Sequence, residues 1–478
     1  MKKSAAIAGS LLVAAAAYTG VAWYVGMEAE KTIRTAVDEA NQRIVKTLGP
    51  DLGSIGATIE INDYRRGVFS SRARYTFVVQ EGDERTELAM QDVMQHGPFP
   101  WDLLKQGQFT PLLAYSRSQL VDTDTVKRWF DAARGTMPLT ADTRIGFNGQ
   151  GATVWELAPL EWVAEDSRLS FSGGRVQARF SNDLRDSQGE GSFGSLIVGN
   201  ALDGETVTLK DIRMESRSRT VADESVEVHS TLQVAALLVD DMAAESLALE
   251  QVSVTFDSAQ KAALLDAALR YDIQRIMVGD IDLGSVSMGG KAVRLDVDAF
   301  SALLSEYDDI AREHGAQDGE DFDLTAQDEE RLLARLVPAL ASSPELALEP
   351  VSWRNEKGET TVSLNLALQP LPDGDVQAQE EALADSLREL RFELALSRPM
   401  LLQVISRAAG GEDEGGQLEM LAAFMFDAYM ERLEQAGLVR REEERALASL
   451  VYRDGTVNLN GQVMSVEELV ALLNRFGM

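Results

Sequence analysis

Apolar and polar residues change rhythm twice along the chain. Residues 4–27 carry no charge. Over 28–48 the apolar positions Ile33, Val37, Ile44 and Leu48 lie on one stripe, with charges opposite, as in an amphipathic helix. From Ala57 the period falls to two, and segments such as "ATIEINDY" and "GGRVQARFSND" alternate up to Phe256. This predicts strands broken by polar turns. Residues 111–135 are ambiguous, with a short helix expected to end at Gly135. Within the alternation, one pattern recurs: two alternating apolar pairs separated by one extra residue. It reads Val207, Leu209, Ile212, Met214; Leu247, Leu249, Val252, Val254; Ile281, Leu283, Val286, Met288; and Leu346, Leu348, Val351, Trp353. The extra residue requires a bulge or tight bend if both pairs are to share a face. A long, curved antiparallel sheet with one greasy face fits this pattern, whereas the unequal intervals do not suit a strict solenoid.

Helices are expected between these strands. Asp257 and Gln260 have capping-box spacing ahead of "AALLDAALRYD", with Ala262, Leu265 and Ala268 as the apolar face. Asp298 is the candidate cap for a helix over "AFSALLSEYDDIAREHG", and Thr325 with Asp328 for one over "EERLLARLVPALASSP". Past the glycine-rich 407–417 comes an apolar helix containing Met425, Phe426 and Met430, which are expected in the core, with contact to a greasy ligand as the alternative. A hairpin from Tyr452 to Leu459 turns at Asp454-Gly455, and Ser465 with Glu468 opens a terminal helix. The fold expected is α+β: an N-terminal transmembrane helix, an elongated, curved antiparallel β-sheet body with inserted helices, and a helical C-terminal region. The divisions are 1–27 (anchor), 28–56 (membrane-proximal helix), 57–256 (mainly antiparallel β), 257–406 (α+β) and 407–478 (helix-hairpin-helix).

The uncharged stretch decides the expected address. Its 24 residues reach about 36 Å as helix, enough for a bilayer core of about 30 Å. Lys2 and Lys3 precede it, and Glu28 and Glu30 follow it, so the N-terminus is expected to stay inside and the remainder to cross. Trp23 and Tyr24 near its far end suit the headgroup level. Cleavage near the alanine run 14–17 is the rival to a retained anchor. The expectation is a single-pass inner-membrane protein with its C-terminal body in the periplasm.

Charge and chemistry then narrow the function. The 478-residue chain has a formal net charge of -32, which disfavours nucleic acid as a partner. With no cysteine, disulfides and thiolate chemistry are out, and His96, His229 and His314 show no metal-binding spacing. Nucleophile-elbow, zincin, Walker and dinucleotide motifs are also missing. The reading therefore assigns no catalytic, cofactor or metal residue and no cofactor. Carboxylates are too abundant, at 77 acidic residues, for any one pair to be informative. His96 draws some interest as a loop histidine beside Trp101.

One stretch, "NDYRRGVFSSRARYTF" at 62–77, looks like a motif. Phe69, Ser71, Ala73, Tyr75 and Phe77 alternate with Ser70, Arg72, Arg74 and Thr76, as in a half-buried strand. The lead-in Tyr64-Arg65-Arg66-Gly67 reads as a structural corner. Gly67 allows positive φ or a close backbone approach. Arg65 and Arg66 are candidates for a carboxylate pair or for contact with an anionic group such as lipid phosphate. Neither serine has a histidine near it in sequence, which weakens a nucleophile reading.

These segments resemble the YdgA-like family of Gram-negative envelope proteins, a bacterial domain of unknown function. "VAWYVG" closes the uncharged stretch, "YRRGVFSS" follows after a short helix, and "YRDGTVNLNGQVM" lies near the end. In the middle, "LALEPVSWRNEKGETTVSLNLAL" is similar to the family's repeated sheet segment. Tyr64, Arg65, Gly67, Phe69 and Ser70 carry over as signature positions only. The resemblance implies an inner-membrane-associated protein with a periplasmic body, and it brings no reaction and no cofactor. The function expected is a non-enzymatic envelope scaffold or interaction module. The alternatives are a lipid-handling protein with an apolar sheet face and, behind it, a carboxylate-dependent hydrolase. The partners expected are the inner membrane through residues 4–27 and an envelope protein or lipid.

Overall fold

The structure, a computed structural model, describes residues 55–475 apart from 82–83, 165–166, 184, 201–203, 222–224, 241–245, 316–321, 373–377, 380–381 and 409–411. Before residue 55 it describes Thr19, Ala22, Tyr24, Glu30, Arg34, Thr35, Val37, Asp38 and Asn41, all helical. Among the described residues no helix is long and apolar enough to cross a membrane. The anchor expected over 4–27 lies outside them save for Thr19, Ala22 and Tyr24. The chain divides into two compact units, one of residues 1–202 and 210–219, the other of 203–209 and 220–478.

The first unit opens on three long strands, β1 (Ile55–Arg66), β2 (Ser70–Glu81) and β3 (Glu84–His96), paired in order. A short helix α1 (Trp101–Lys105), β4 (Ala114–Leu120) and helix α2 (Lys127–Ala132) follow. The ambiguous 111–135 thus splits into strand and helix, with Gly135 at φ +88° just beyond. Then come β5 (Leu139–Ile145), β6 (Gly151–Leu157), β7 (Leu160–Val163), β8 (Ser167–Phe171), β9 (Gly174–Phe180) and β10 (Asp186–Asn200). The antiparallel ladder runs β1–β2–β3–β4–β5–β6–β9–β10–β8–β7. Met90, Leu120 and Val126 are buried at its centre, with Tyr75, Phe77, Phe130 and Trp155 packed around them. Next is β11 (Thr206–Thr220), whose residues 210–219 belong to this unit.

The second unit is a meander of long strands: β12 (Val226–Asp240), β13 (Leu247–Lys261), β14 (Leu264–Val278) and β15 (Ile281–Asp296). Helices α3 (Val297–Glu313) and α4 (Ala326–Leu340) interrupt it before β16 (Glu345–Asn355), β17 (Gly358–Leu368) and β18 (Leu387–Ser397). Helices α5 (Arg398–Ala408) and α6 (Glu412–Gln435) lead to β19 (Arg440–Glu442), β20 (Arg445–Arg453), β21 (Thr456–Leu459), β22 (Gln462–Ser465) and α7 (Val466–Asn474). Each strand from β12 to β18 pairs antiparallel with the next, and β18 then pairs with β20. The chain is therefore a large antiparallel sheet structure with several helices.

Three local expectations hold. Thr325 with Asp328 and Ser465 with Glu468 form capping boxes. Asp454 and Gly455, at φ +48° and +77°, turn the β20–β21 hairpin. The recurring apolar pattern also has a backbone cause: Asp211, Gln251 and Gly284 lie between the apolar pairs at φ +48°, +52° and +89°. In the fourth copy the β16–β17 register shifts between Leu348 and Val351. A left-handed residue or bulge resets the pleat, so that both pairs can serve one face.

Two expectations are corrected. The segment 257–272 is strand, not helix: it completes β13, turns at Ala262 (φ +52°) and enters β14. Its alanines favour helix, but Leu265, Ala267, Leu269, Tyr271 and Ile273 alternate, and pairing on both sides outweighs a propensity of a few tenths of a kcal/mol per residue. The cap of α3 is Asp296, which accepts from Ala299 N, and Asp298 falls inside the first turn.

Candidate functional site

The motif-like stretch forms a hairpin. Arg66 pairs with Ser71, and residues 67–69 make the connection. Gly67 N donates to Ser70 O at 2.8 Å, and a Cβ on Gly67 would stand 2.9 Å from that oxygen. Close approach is therefore what demands glycine here. Phe69 and Ser70 are exposed at the tip, and Ser71 is buried. Arg65 pairs with Asp63 at 3.2 Å and Arg66 with Glu30 at 3.5 Å. The helical residues before 55 dock on this hairpin. The Arg34 guanidinium lies 5.7 Å from the Tyr64 ring centre. The Asn41 side chain both donates to Ile59 O and accepts from Ile59 N, so it takes the place of a neighbouring strand.

Sequence separation hid the polar centre of this corner. His96 ends β3, and the pairing of β2 with β3 brings it to Ser71: Oγ to Nε2 is 2.9 Å, and both residues are 1% exposed. His96 Nδ1 lies 3.0 Å from Val68 O. A carbonyl only accepts, so Nδ1 carries the proton and Nε2 accepts from the Ser71 hydroxyl. Burial pushes the His96 pKa down, opposed by backbone hydrogen bonds at Val68 and Ala22. The Tyr64 hydroxyl is buried facing Ser71 without a hydrogen bond of ordinary geometry. Nearby, Asp92 is 2% exposed and accepts from Ser116 and Ser118, and burial raises its pKa. The arrangement pairs a serine with a neutral histidine, but both are closed off from solvent, and the group behind the imidazole is a carbonyl rather than a carboxylate. The Ser71–His96 pair is a buried structural contact.

A pH dependence follows. The folded state holds His96 neutral while the unfolded chain protonates it near pH 6.5. Its contribution to stability is present above that pH and is lost as pH falls toward the depressed folded value. Urea denaturation at stepped pH should show stability falling below about pH 6.5, with a shallower fall in His96→Gln. Equal slopes in the two proteins would refute the assignment.

The second unit carries the more unusual feature. Paired residues share a face, and one row runs Phe256, Leu269, Gly290, Leu348, Leu364, Phe392, Leu450 and Leu459 from β13 to β21. The adjacent row is Leu232, Val254, Tyr271 and Met288. The opposite face is polar, with ion pairs such as Arg270–Asp272, and Arg453–Glu389. Such a two-faced sheet normally buries its apolar side. Among the described residues helices cover it only in part, α5 packing on β15, β17 and β18. Met430 and Leu433 of α6, with Leu469, Leu472 and Leu473 of α7, close over Leu450 and Leu459. Leu333 and Leu340 of α4 pack against Leu368. Even so, not one residue of β13, β14, β16 or β17 is buried. Leu232, Phe256, Tyr271, Met288 and Leu348 are 36% to 41% exposed. In α6, Met430 and Phe426 join the core as expected, but Met425 does not: with Met420, Leu421 and Phe424 it is more than half exposed. Among the described residues no cluster could hold a metal ion.

No solved structure matches the chain significantly. "Protein YdgA" of Escherichia coli (strain K12) is 24% identical, with 99% of this chain and 97% of that protein covered. "Uncharacterized protein YihF" of the same organism is 22% identical over 100% of this chain and 99% of its own length. A Haemophilus influenzae "Uncharacterized protein" is 25% identical over 37% of this chain and 47% of its own. The model of a family described as "Bacterial protein of unknown function (DUF945)" matches residues 1–467. The chain belongs to that family of YdgA-like bacterial proteins.

Proposed function

We propose that the chain is a membrane-tethered envelope protein that binds lipid acyl chains on the apolar face of its second unit. The carrying observation is that face: two cross-strand rows of Leu, Phe, Tyr, Val and Met residues, covered by helices only in part and exposed at Leu232, Phe256, Tyr271, Met288 and Leu348. Exposed apolar area of this extent is a binding surface by default. The side chains are mainly aliphatic, and Gly290 and Ala292 leave a shallow strip along β15, which suits flexible chains. The uncharged residues 4–27 favour acyl chains as the occupant, because a chain tethered there works beside the bilayer. The exposed Met420, Leu421, Phe424 and Met425 of α6 give the same unit a second apolar contact. The envelope scaffold reading retains the same face as a protein docking surface.

Photolabelling separates the two. The full-length protein in detergent is irradiated with a diazirine-bearing phospholipid, and the labelled peptides are mapped by mass spectrometry. The lipid reading expects label concentrated on 232, 254, 256, 271, 288 and 348, and competed away by unlabelled phospholipid. Label confined to residues 4–27, or spread equally over the polar face, would overturn it.

A further inference from the structure

The first unit contains a concentration of positive charge that an acidic chain would not gather without use. A depression of about 720 Å³ is lined by Arg144, Arg179, Arg217 and Arg219, with Asp186 as its lone carboxylate. None of the four arginines forms a salt bridge among the described residues. Many arginines elsewhere are paired: Arg117 with Asp142, Arg270 with Asp272, Arg275 with Asp282, Arg331 with Glu306, Arg398 with Asp427. With 77 acidic residues against 45 basic ones, four arginines gathered around one depression with a single carboxylate stand out.

Strand register explains how they converge. Arg144 of β5 pairs with Ala152 of β6, Ala152 with Arg179 of β9, and Arg179 with Gln188 of β10. Directly paired residues point to one face, so Arg144 and Arg179 flank the small Ala152 roughly 10 Å apart, two strand spacings. The methyl group between them leaves a notch. Arg217 and Arg219 stand two residues apart on β11 and therefore also share a face. Like charges held this near one another repel. A bound anion turns that repulsion into attraction, and guanidinium forks fit phosphate oxygens in pairs.

We propose that this depression is a binding site for a phosphate group carried by a small ligand. The four arginines supply the charge, and the notch over Ala152 supplies the seat. The site shares no residue with the apolar face or with the Ser71–His96 corner, and it uses neither Arg65 nor Arg66, which already pair with Asp63 and Glu30.

The test is calorimetric titration of the full-length protein in detergent with two probes, inorganic pyrophosphate and dihexanoyl phosphatidate. The variants are Arg179→Gln with Arg217→Gln, and Arg144→Lys. Arg74→Gln, an exposed arginine on β2, is the control. Saturable binding of at least one probe is expected, weakened at least about tenfold in the double variant and unchanged in the control. Arg144→Lys keeps the charge but loses the fork, and a loss of several-fold is expected there. That variant also covers the case in which the double variant does not fold. Tighter binding of phosphatidate than of pyrophosphate would identify the phosphate as a lipid headgroup, and the reverse order a soluble phosphate ester. No saturable binding of either probe, or binding unchanged in both variants, would overturn the site.

Discussion

Tyr271→Asp combined with Met288→Asp is expected to reduce acyl photolabelling of the second unit at least about tenfold, with little change in melting temperature. Both side chains stand in one row of the apolar face and are 36% and 41% exposed. A bound acyl chain would finish their burial, and a fully buried side chain of this size contributes about 1.5–3 kcal/mol. A carboxylate there must instead be dehydrated by the ligand, which carries a further penalty. The exposed part of each side chain leaves about 0.5–1.2 kcal/mol to be gained, so it takes both sites together with the dehydration penalty to pass the roughly 1.4 kcal/mol that is tenfold in affinity. Stability is spared because the aspartates stay in water when no ligand is present. Thr255→Asp on the polar face is the matched control. An equal loss of labelling in that variant would show that bulk charge, not the apolar rows, governs the interaction.

Gly284→Ala is expected to destabilise the second unit by roughly 3 kcal/mol or more. At φ +89°, a Cβ on this residue would also stand 2.0 Å from the carbonyl oxygen of Arg354 on β16. Neither the backbone conformation nor the neighbouring strand can yield without breaking the β15–β16 ladder. Gly290→Ala, in the same strand, is the contrast. Its nearest outside atom is 4.0 Å from the added methyl, so it should cost little or add slightly to stability. Urea unfolding of both variants checks the pair. Equal effects would mean that the bulge at Gly284 is not required.

The sequence showed the sheet more clearly than its limits. Period-two alternation and the repeated pair of apolar doublets were readable because a pleat imposes them. The left-handed residues at Asp211, Gln251 and Gly284 are the physical reason for the extra position. Alanine-rich 257–272 misled, since helix propensity and a half-buried strand compete for the same residues. The Ser71–His96 contact could not be read because it depends on the register of two long strands, 25 positions apart. The basic depression was hidden for the same reason. Arg144, Arg179, Arg217 and Arg219 look like scattered surface charges until pairing lines up the first two and a separate strand brings the others. Exposure of the apolar face was also beyond reach, because alternation says which side chains share a face and not whether anything lies over it.

The strictly sequential pairing from β12 to β18 bears on how this chain is built. Every ladder there joins a strand to the one made just before it; most close over a short turn, where the entropy of loop closure is small, and the β15–β16 ladder closes over α3 and α4. The sheet can grow in the order of synthesis, one strand at a time, without waiting for the C-terminus. During that growth the newest strand always presents an unpaired edge, and a partial sheet with such an edge can join its twin in another nascent molecule. Only when β18 takes β20 as its neighbour is that edge paired, which makes the last third of the chain the part that ends the molecule's exposure to its own copies.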